Sequence, residues 1–414
     1  MKNWQIKLSL FLNYFVFAIL LNSVGTVILQ VQNNYGVSEG SASVLEAFKD
    51  LSIAIVSFLV SSYITRIGYK RAMLIALGFV TAVCFLMPLA PAFWATKLLF
   101  AAVGSGFALI KMSVYSTIGL VTNDEKQHIS LMNFLESFFM VGILTGYFVF
   151  SAFVDDSNPQ STAWLNVYYL LGTISLLAFG LLFSAPLDES SVRGQENDSM
   201  LEDFGKMFKL MATPLVLIFI LCAFFYVLIE QSIMSWLPTY NSKVLQLPTA
   251  LSIEMASILA GATALGRFLA GIVMKKLNWH LVLTSCLLLA AALVLIAIPL
   301  AKGESGQTVT GWFDAPLAAF VFPLIGLFLA PIYPAINSLI LSALPVQKHG
   351  LMSGLIIIFS ALGGTTGSII TGNIFQHFDG QTAFYFSLIP IGILLVGLFF
   401  FKKLQAHGPQ QATS

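Results

Sequence analysis

Charge is scarce in this sequence. Asp, Glu, Lys and Arg together supply 9% of the 414 residues, whereas hydrophobic residues supply 57%. Soluble domains carry about 25% charged residues, because their surfaces must be hydrated. A soluble enzyme or binding domain of this length is therefore excluded, and the composition predicts an integral helical membrane protein.

Cysteine and histidine are also rare. Cys84, Cys222 and Cys286 lie inside apolar runs without disulfide or metal spacing, and the five histidines are scattered over loops and helix ends. The sequence has no Gly-x-x-x-x-Gly-Lys-Ser/Thr phosphate loop, which excludes ATP as an energy source. Basic patches and convergent catalytic groups are missing as well. We therefore expect no cofactor, no nucleic-acid partner and no enzymatic activity.

Long apolar runs dominate what is present. A run of about twenty apolar residues crosses a bilayer as a helix. Twelve runs can be drawn, at 8–30, 41–64, 72–91, 94–121, 130–154, 163–185, 212–238, 248–274, 279–300, 314–343, 350–375 and 382–402. The polar stretch after the sixth run predicts an N-terminal six-helix half at 1–185, a linker at 186–211, a C-terminal half at 212–403 and a tail at 404–414.

Lysine and arginine are distributed asymmetrically between the loops. Cytoplasmic loops of membrane proteins are enriched in both residues. With a cytoplasmic N-terminus, most of the basic residues fall on the cytoplasmic side, and only Lys243 and Lys302 lie clearly on the other side. The sequence therefore predicts a multi-pass protein of the cell inner membrane with both termini, the linker and the tail in the cytoplasm.

The six-plus-six arrangement resembles the major facilitator superfamily. The loop after the second run, YITRIGYKR at 63–71, is similar to that superfamily's G-x-x-x-D-R-x-G-x-R-K loop motif, although Thr65 replaces the acidic residue. The resemblance implies an all-α fold of twelve transmembrane helices and transport by alternating access, with helices one, four, seven and ten around the solute. It also implies gate roles for Arg66 and Arg71, and a monomer is expected.

A narrower resemblance links the second half to the fucose–galactose–glucose symporter family. Partial matches to its motifs lie, in the expected order, at 225–237, 266–268, 326–339 and 354–364. This resemblance implies sugar import coupled to a proton or a sodium ion. The first half departs from the family, because run one has no carboxylate at 22–26 and run four has Lys111 where fucose-type members have a glutamate.

Three charged residues share one face of the second run. Glu46, Lys49 and Asp50 are spaced i, i+3 and i+4. Ionisable side chains inside a membrane segment are expensive and usually functional. One interpretation is a structural cluster that lines a wet gate, and the other is a coupling site for a proton or cation, centred on Asp50 with Glu46 beside it.

Two further charges lie on helices that the resemblance places around the solute. Lys111 either forms a bridge with an acid such as Asp50 or contacts the solute directly. Glu230 is a solute-hydroxyl acceptor, a coupling carboxylate or a residue tied to a neighbouring helix. The predicted solute-binding residues are Lys111, Tyr115, Tyr226, Glu230, Gln231, Tyr333 and Asn337.

Glu136 and Arg267 form the last predicted pair. In the superfamily, helices five and eight face each other across the two halves, so we expect a salt bridge that closes the inner gate. Glu136 is also a candidate coupling carboxylate. The alternative for Arg267 is hydrogen bonding to carbonyls at a neighbouring helix end.

Three functions remain open from the sequence. The first is coupled import of a neutral sugar, with Lys111 paired internally. The second is import of an anionic or zwitterionic solute such as a sugar acid, a carboxylate or a siderophore, with Lys111 as counter-ion. The third is a proton-coupled exporter of drugs or metabolites. In each, the partners are a small-molecule substrate, a coupling ion (H⁺ or Na⁺) and the lipid bilayer.

Overall fold

A computed structural model describes residues 4–61, 64–122, 125–189, 200–301, 309–345 and 348–407. Within those ranges the chain consists of helices and short connections, without a strand. The all-α expectation is therefore confirmed.

In the described part of the chain, nine helices precede the linker. They are α1 (Trp4–Asn22), α2 (Val24–Tyr35), α3 (Glu39–Ala42), α4 (Val44–Ser61), α5 (Ile64–Ile67), α6 (Tyr69–Leu89), α7 (Phe93–Val121), α8 (Glu125–Ser151) and α9 (Val167–Ser184). A 3₁₀ turn at Thr162–Asn166 leads into α9.

The remaining helices follow, and the first of them, α10, lies in the linker. They are α10 (Met200–Met211), α11 (Pro214–Lys243), α12 (Thr249–Val273), α13 (Trp279–Leu300), α14 (Leu317–Val321), α15 (Ile325–Leu329), α16 (Ile332–Ala343), α17 (His349–His377), α18 (Gly380–Tyr385) and α19 (Leu388–His407). Short 3₁₀ turns occur at Trp312–Asp314 and Phe322–Leu324.

The predicted membrane spans correspond to these helices. Eleven helical segments of the described chain are long and apolar enough to cross a membrane. Helix α4 has 18 residues and matches the predicted second span, but its three charged residues keep it out of that set. With α4 included, the structure agrees with the twelve-helix major facilitator fold.

Several predicted spans are interrupted, among them the first, the tenth and the twelfth, which is divided into α18 and α19. The first is split at Ser23, whose hydroxyl donates to the Leu20 carbonyl at 2.8 Å. The tenth is divided at Pro323 and Pro331 into α14, α15 and α16. Proline has no amide hydrogen and its ring crowds the preceding turn, so it breaks a helix at such points.

The Cα positions group the chain into two units. The first contains Met1–Asp198, Ser235–Ser257 and Val309–Ala315, and the second contains Ser199–Met234, Ile258–Thr308 and Pro316–Ser414. Helices α11 and α12 therefore each contribute residues to both units. The sequence boundaries between two six-helix halves stay a prediction.

Close helix packing in the first unit depends on small residues. Helix α7 packs against both α4 and α6, and α1 packs against α8 and α9. A Cβ at Gly104 of α7 would overlap the Lys49 carbonyl of α4. Only glycine fits this crossing, which holds α7 close to the charged turn of α4.

Glycines also allow close helix packing in the second unit. A Cβ at Gly363 or Gly367 of α17 would overlap the carbonyls of Phe224 and Leu228 of α11. Small residues in membrane helices let two backbones approach closely. Helix α17 is thereby packed directly against the part of α11 that leads to Glu230.

Candidate functional site

Helix α4 has a charged cluster in its first two turns. Glu46, Lys49 and Asp50 are 0%, 6% and 7% exposed. Lys49 Nζ pairs with Glu46 Oε1 and lies 3.4 Å from Asp50 Oδ1. The predicted trio is therefore brought together, with one ammonium group between two carboxylates. Its roles as gate or coupling site stay predictions.

Glu46 has a second partner outside α4. Ser235 Oγ of α11 donates to Glu46 Oε2 at 2.7 Å, and Ser235 is 3% exposed. Ser235 is the residue at which α11 enters the first unit. No spacing in the sequence connects residues so far apart, so this contact could not be derived from the sequence.

Lys111 lies on the face of α7 that meets α1 and α8. Its neighbours on this face, at i−4 and i+4, are Phe107 and Tyr115, and Lys111 Nζ lies 5.8 Å and 6.0 Å from the centroids of their rings. Phe107 contacts Phe17 of α1 and Phe139 of α8. Lys111 itself is exposed, so it opens onto accessible space between packed aromatic rings.

Lys111 does not form the bridge with Asp50 that one interpretation of the sequence required. Asp50 pairs with Lys49 instead. Among the described residues, no carboxylate lies within ion-pair distance of Lys111 Nζ, and Glu136 acts on it only as a nearby charge. Its ammonium group is therefore available to an external anion.

Glu136 is held within the first unit by a tyrosine. Tyr115 of α7 donates its hydroxyl to Glu136 Oε1 of α8 at 2.7 Å, and Tyr14 of α1 lies close enough to interact with both. Tyr14 also packs edge-on against Phe139 at 5.6 Å. Helices α1, α7 and α8 thus bring a carboxylate and two phenols together near Lys111.

The second unit contains a different cluster on α11 and α16. Tyr226 donates its hydroxyl to Glu230 Oε1 at 2.9 Å, one turn along the same helix. Its ring stacks on Tyr333, with centroids 5.4 Å apart and an interplanar angle of 19°. The Tyr333 and Ser360 hydroxyls form a hydrogen bond of 2.8 Å.

Two amides lie beside this cluster. Asn337 is one turn after Tyr333 on α16, and its buried Oδ1 has no hydrogen-bond partner among the described residues. Gln231 follows Glu230 and is half-buried. An unsatisfied buried acceptor costs free energy unless a ligand or water donates to it. The cluster of Tyr226, Glu230, Tyr333 and Asn337 is therefore suited to binding hydroxyl groups.

Arg267 of α12 is exposed and acts electrostatically on Tyr226 within the second unit. Glu136 belongs to the first unit. The predicted Glu136–Arg267 gate bridge would join the two units and stays a prediction. Within its own unit, each of these residues has a tyrosine as a neighbour.

The predicted gate arginines both lie at the surface. Arg66 is in the last turn of α5 and Arg71 in the first turn of α6, and both are exposed. Their gate roles stay predictions. Gly68 between them has a φ of 89°, a left-handed conformation that favours glycine.

A carboxylate that the sequence analysis missed lies at this loop. Glu189 Oε1 accepts from the Lys70 amide at 2.6 Å, so its charge lies at the N-terminus of α6. Acidic groups at that end of a helix are favoured by its dipole. Lys70 Nζ in turn donates to the carbonyls of Phe183 and Ala185 at 3.0 Å and 2.7 Å. Nothing in the spacing of the loop motif points to residue 189.

Glu254 is a second carboxylate that was missed. Its Oε1 accepts from Ser151 Oγ and its Oε2 from Trp312 Nε1, both at 2.9 Å. Trp312 also stacks on Phe148, with ring centroids 6.4 Å apart. A lone glutamate near the start of the apolar run at 248–274 was a detectable signal, because such residues need partners.

Three further polar contacts join α11 and α12 to early parts of the chain. Lys243 Nζ pairs with Glu39 Oε1 at 2.5 Å, Gln32 Nε2 donates to Thr239 Oγ1 at 3.4 Å, and the Ala250 amide donates to Asp156 Oδ1 at 3.0 Å. Partial burial raises the pKa of Glu39, but the hydrogen bond and charge of Lys243 outweigh it, so the pKa of this carboxyl lies below its usual value.

Comparisons with known proteins agree with the fold. The sequence model of the Major Facilitator Superfamily matches residues 10–322. No curated protein sequence matches the chain significantly. A bacterial homolog to the human lysosomal transporter Spinster, in an inward-facing and occupied conformation, is similar in structure with a TM-score of 0.71 and 15% identity, covering 98% of this chain and 97% of that chain.

Two other solved structures show the same likeness. The nucleoside transporter NupG has a TM-score of 0.72 and 14% identity, covering 98% of this chain and 99% of that chain. A D-xylose-proton symporter has a TM-score of 0.70 and 16% identity, covering 97% of both chains. At such identities the likeness shows a shared fold, and the narrower symporter family is not confirmed by it.

Proposed function

The chain belongs to the Major Facilitator Superfamily, and on that premise we propose that it is a secondary active transporter for a small anionic or zwitterionic solute that Lys111 binds. As a member of this superfamily it is a multi-pass membrane transporter and not an enzyme. Import across the inner membrane as a monomer, with both termini cytoplasmic and a coupled H⁺ or Na⁺, completes the proposal.

One observation carries the choice of solute. Lys111 is accessible between Phe107 and Tyr115 and lacks an ion-pair partner among the described residues. An unpaired ammonium group inside a membrane segment is costly unless a ligand or water neutralises it. A carboxylate or phosphate group on the solute supplies that charge, and the flanking rings of Phe107 and Tyr115 offer aromatic surface to the rest of the solute.

A neutral sugar is the second candidate, and it is supported by the second unit. Stacked aromatic rings, a carboxylate and the unsatisfied Asn337 Oδ1 match the faces and hydroxyl groups of a sugar. The structural similarity to a D-xylose-proton symporter is consistent with this candidate.

The test is ligand-induced thermal stabilisation of the purified protein. Glucose and galactose are compared with glucuronate and galacturonate, since each pair differs by one carboxylate. A ligand at one hundred times its dissociation constant adds about 2.7 kcal/mol to stability, which is readily measured. We expect stabilisation by the sugar acids in the wild type and its loss in Lys111→Gln.

The matched control is Lys97→Gln, on the same helix, where Lys97 Nζ lies 4.3 Å from the centroid of the Phe93 ring. This variant should respond to the sugar acids as the wild type does. Stabilisation by neutral hexoses that survives Lys111→Gln would overturn the anionic proposal and leave neutral sugar transport. Solute flux that is driven only by acidification of the compartment opposite the solute would instead indicate a proton-coupled exporter.

A further inference from the structure

The buried cluster on α4 has a charge that does not balance. It holds two carboxylates and one ammonium group, and all three residues are at most 7% exposed. A net negative charge away from water is expensive, so the group is driven to take up a proton or a cation. The question is which ligand it takes and which atom binds it.

A sodium ion fits this cluster poorly. Hard cations bind where several oxygen atoms converge without a competing positive charge. Here Lys49 Nζ already contacts an oxygen of each carboxylate. A metal cation between the same oxygens would lie beside the ammonium group and be repelled by it. A proton, which adds to a single oxygen, avoids this repulsion.

The two carboxylates differ in how firmly their charge is held. Both oxygens of Glu46 have partners, Lys49 at Oε1 and Ser235 at Oε2. Among the described residues, Asp50 forms an ion pair only with Lys49, at the longer distance of 3.4 Å. Hydrogen bonds to a carboxylate favour its ionised form. Asp50 is therefore the carboxylate that gives up its charge at the lower cost.

No other charged group competes for Asp50 in the described chain. Its electrostatic neighbours are Lys49 and Glu46. Helices α2, α3, α7 and α11 contact α4, and their charged residues have no recorded interaction with Asp50. Those residues are Glu39, Lys97, Lys111, Glu230 and Lys243.

We propose that Asp50 is the proton-binding site of the transport cycle and that it carries one proton per turnover. The reaction is the reversible addition of H⁺ to one oxygen of the Asp50 carboxylate. Once Asp50 is neutral, Lys49 pairs with Glu46 alone. Loss of the proton makes both carboxylates compete for Lys49. This inference rests on the proposed transport function and specifies its coupling ion.

Ser235 is the positioning residue in this scheme. It lies where α11 enters the first unit, and its hydroxyl bonds to the carboxylate that does not take the proton. As long as this bond is present, Glu46 stays ionised and Asp50 accepts the proton. A movement at this end of α11 that breaks the hydrogen bond would let Glu46 and Asp50 share the proton. Solute-driven movement of α11 and proton binding are thereby connected at one hydroxyl group.

The first experiment does not need a solute. Infrared difference spectra of the purified full-length protein, recorded between acid and alkaline pH, report the C=O stretch of a buried protonated carboxylic acid. We expect one such band, shifted in frequency by Asp50→Glu and lost in Asp50→Asn. Glu46→Gln should also lose it near neutral pH, because Asp50 then pairs with Lys49 alone. A band that persists in Asp50→Asn would overturn the assignment.

Ser235 is tested by the pH at which the same band appears. Ser235→Ala should move the midpoint to higher pH, since both carboxylates then hold their charge less firmly, and Ser235→Thr should restore it. An unchanged midpoint in Ser235→Ala would remove Ser235 from the scheme.

The second experiment links the site to transport in proteoliposomes. Glucuronate and glucose are each tested for accumulation driven by a pH gradient and by a sodium gradient. We expect accumulation under the pH gradient in the wild type and none in Asp50→Asn, whose solute exchange should no longer vary with pH. Accumulation driven by sodium alone would overturn the proton assignment. Failure of the wild type to exchange either solute would count against the proposed function. The infrared spectra test the protonation of Asp50 independently of that outcome.

Discussion

The two units handle polar groups inside the membrane in different ways. In the first, Glu46, Lys49 and Asp50 share charge directly, and Lys111 is left accessible. In the second, Glu230 is held by a phenol, and the tyrosine rings stack on each other. The first unit also has a phenol–carboxylate pair, Tyr115 with Glu136, so the direct charge pairing of α4 is what distinguishes it from the second. The contrast predicts that the stability of the first unit depends on its buried charge pairs, while that of the second depends on single hydrogen bonds and ring stacking.

The largest loss of stability is expected from a variant that removes the lysine of the charged cluster in the first unit. Lys49→Gln leaves two buried carboxylates without their counter-ion, and removing one partner of a buried pair costs about 3–5 kcal/mol. Thermal unfolding in detergent at pH 7 should show the loss. Part of the stability should return as the pH falls, because the carboxylates then become protonated. Glu230→Gln in the second unit should cost much less, and equal losses would contradict the contrast.

The next effect tests the packing that supports the charged turn. Gly104→Ala places a Cβ against the Lys49 carbonyl, and overpacking of this kind costs about 1–3 kcal/mol. Gly119→Ala on the same helix meets nothing within 4 Å and should be neutral or stabilising by up to about 1 kcal/mol, since alanine favours helix. Gly104→Ala should therefore lower the unfolding temperature, whereas Gly119→Ala should leave it unchanged or raise it. A fall of equal size in both would show that the α4–α7 crossing is not tight.

A smaller effect is expected from the phenol of the second unit. Tyr226→Phe removes the hydroxyl that donates to Glu230 but keeps the stacked ring. Hydrogen bonds to charged groups contribute about 1.5–3 kcal/mol, and partial exposure of Glu230 places this one at the lower end. Thermal unfolding measures the loss, with Tyr333→Phe as the comparison on the other ring. A loss as large as that of Lys49→Gln would mean that the second unit also depends on charge.

The smallest effect concerns the pair of Glu39 and Lys243. Because the pKa of Glu39 is lowered in the folded protein, its contribution is fully present above the unfolded-state pKa, about 4.3, and is lost as the pH falls through the folded value. The difference in unfolding temperature between wild type and Glu39→Gln should therefore shrink below pH 4.3. Lys243 is 39% exposed, so the pair contributes at most about 1 kcal/mol. A difference that grows toward low pH would contradict the sign.

The sequence predicted the fold well and the site in part. Apolar length alone placed the spans, because crossing a bilayer demands about twenty apolar residues whatever the neighbours. The spacing of Glu46, Lys49 and Asp50 predicted their shared face, because three and four residues return to one side of a helix. Partners from distant helices, such as Ser235 for Glu46, follow from tertiary packing that no local pattern encodes.

Lys111 shows a second kind of limit. The sequence left open whether it pairs with an acid, because charge alone does not say which residues meet. Asp50 had two lysines available, and the one on its own helix is the partner in the structure. The loop at 63–71 shows the opposite difficulty. Its motif lacks an acidic residue, which drew attention to Thr65. The carboxylate near this loop belongs instead to Glu189, a residue distant in sequence.

The charged turn of α4 also has a consequence for how the protein is made. Each Asp, Lys or Arg at the centre of a segment costs about 2.5–3.5 kcal/mol during insertion from the translocon, and less toward the ends. Because Glu46, Lys49 and Asp50 all lie in its first two turns, α4 is a poor candidate to enter the bilayer by itself. Its stable partner, α7, is synthesised only after Leu89, when α6 is already complete. We therefore expect α4 to remain at the translocon until α7 emerges, so that these helices enter the membrane as a group and not one by one.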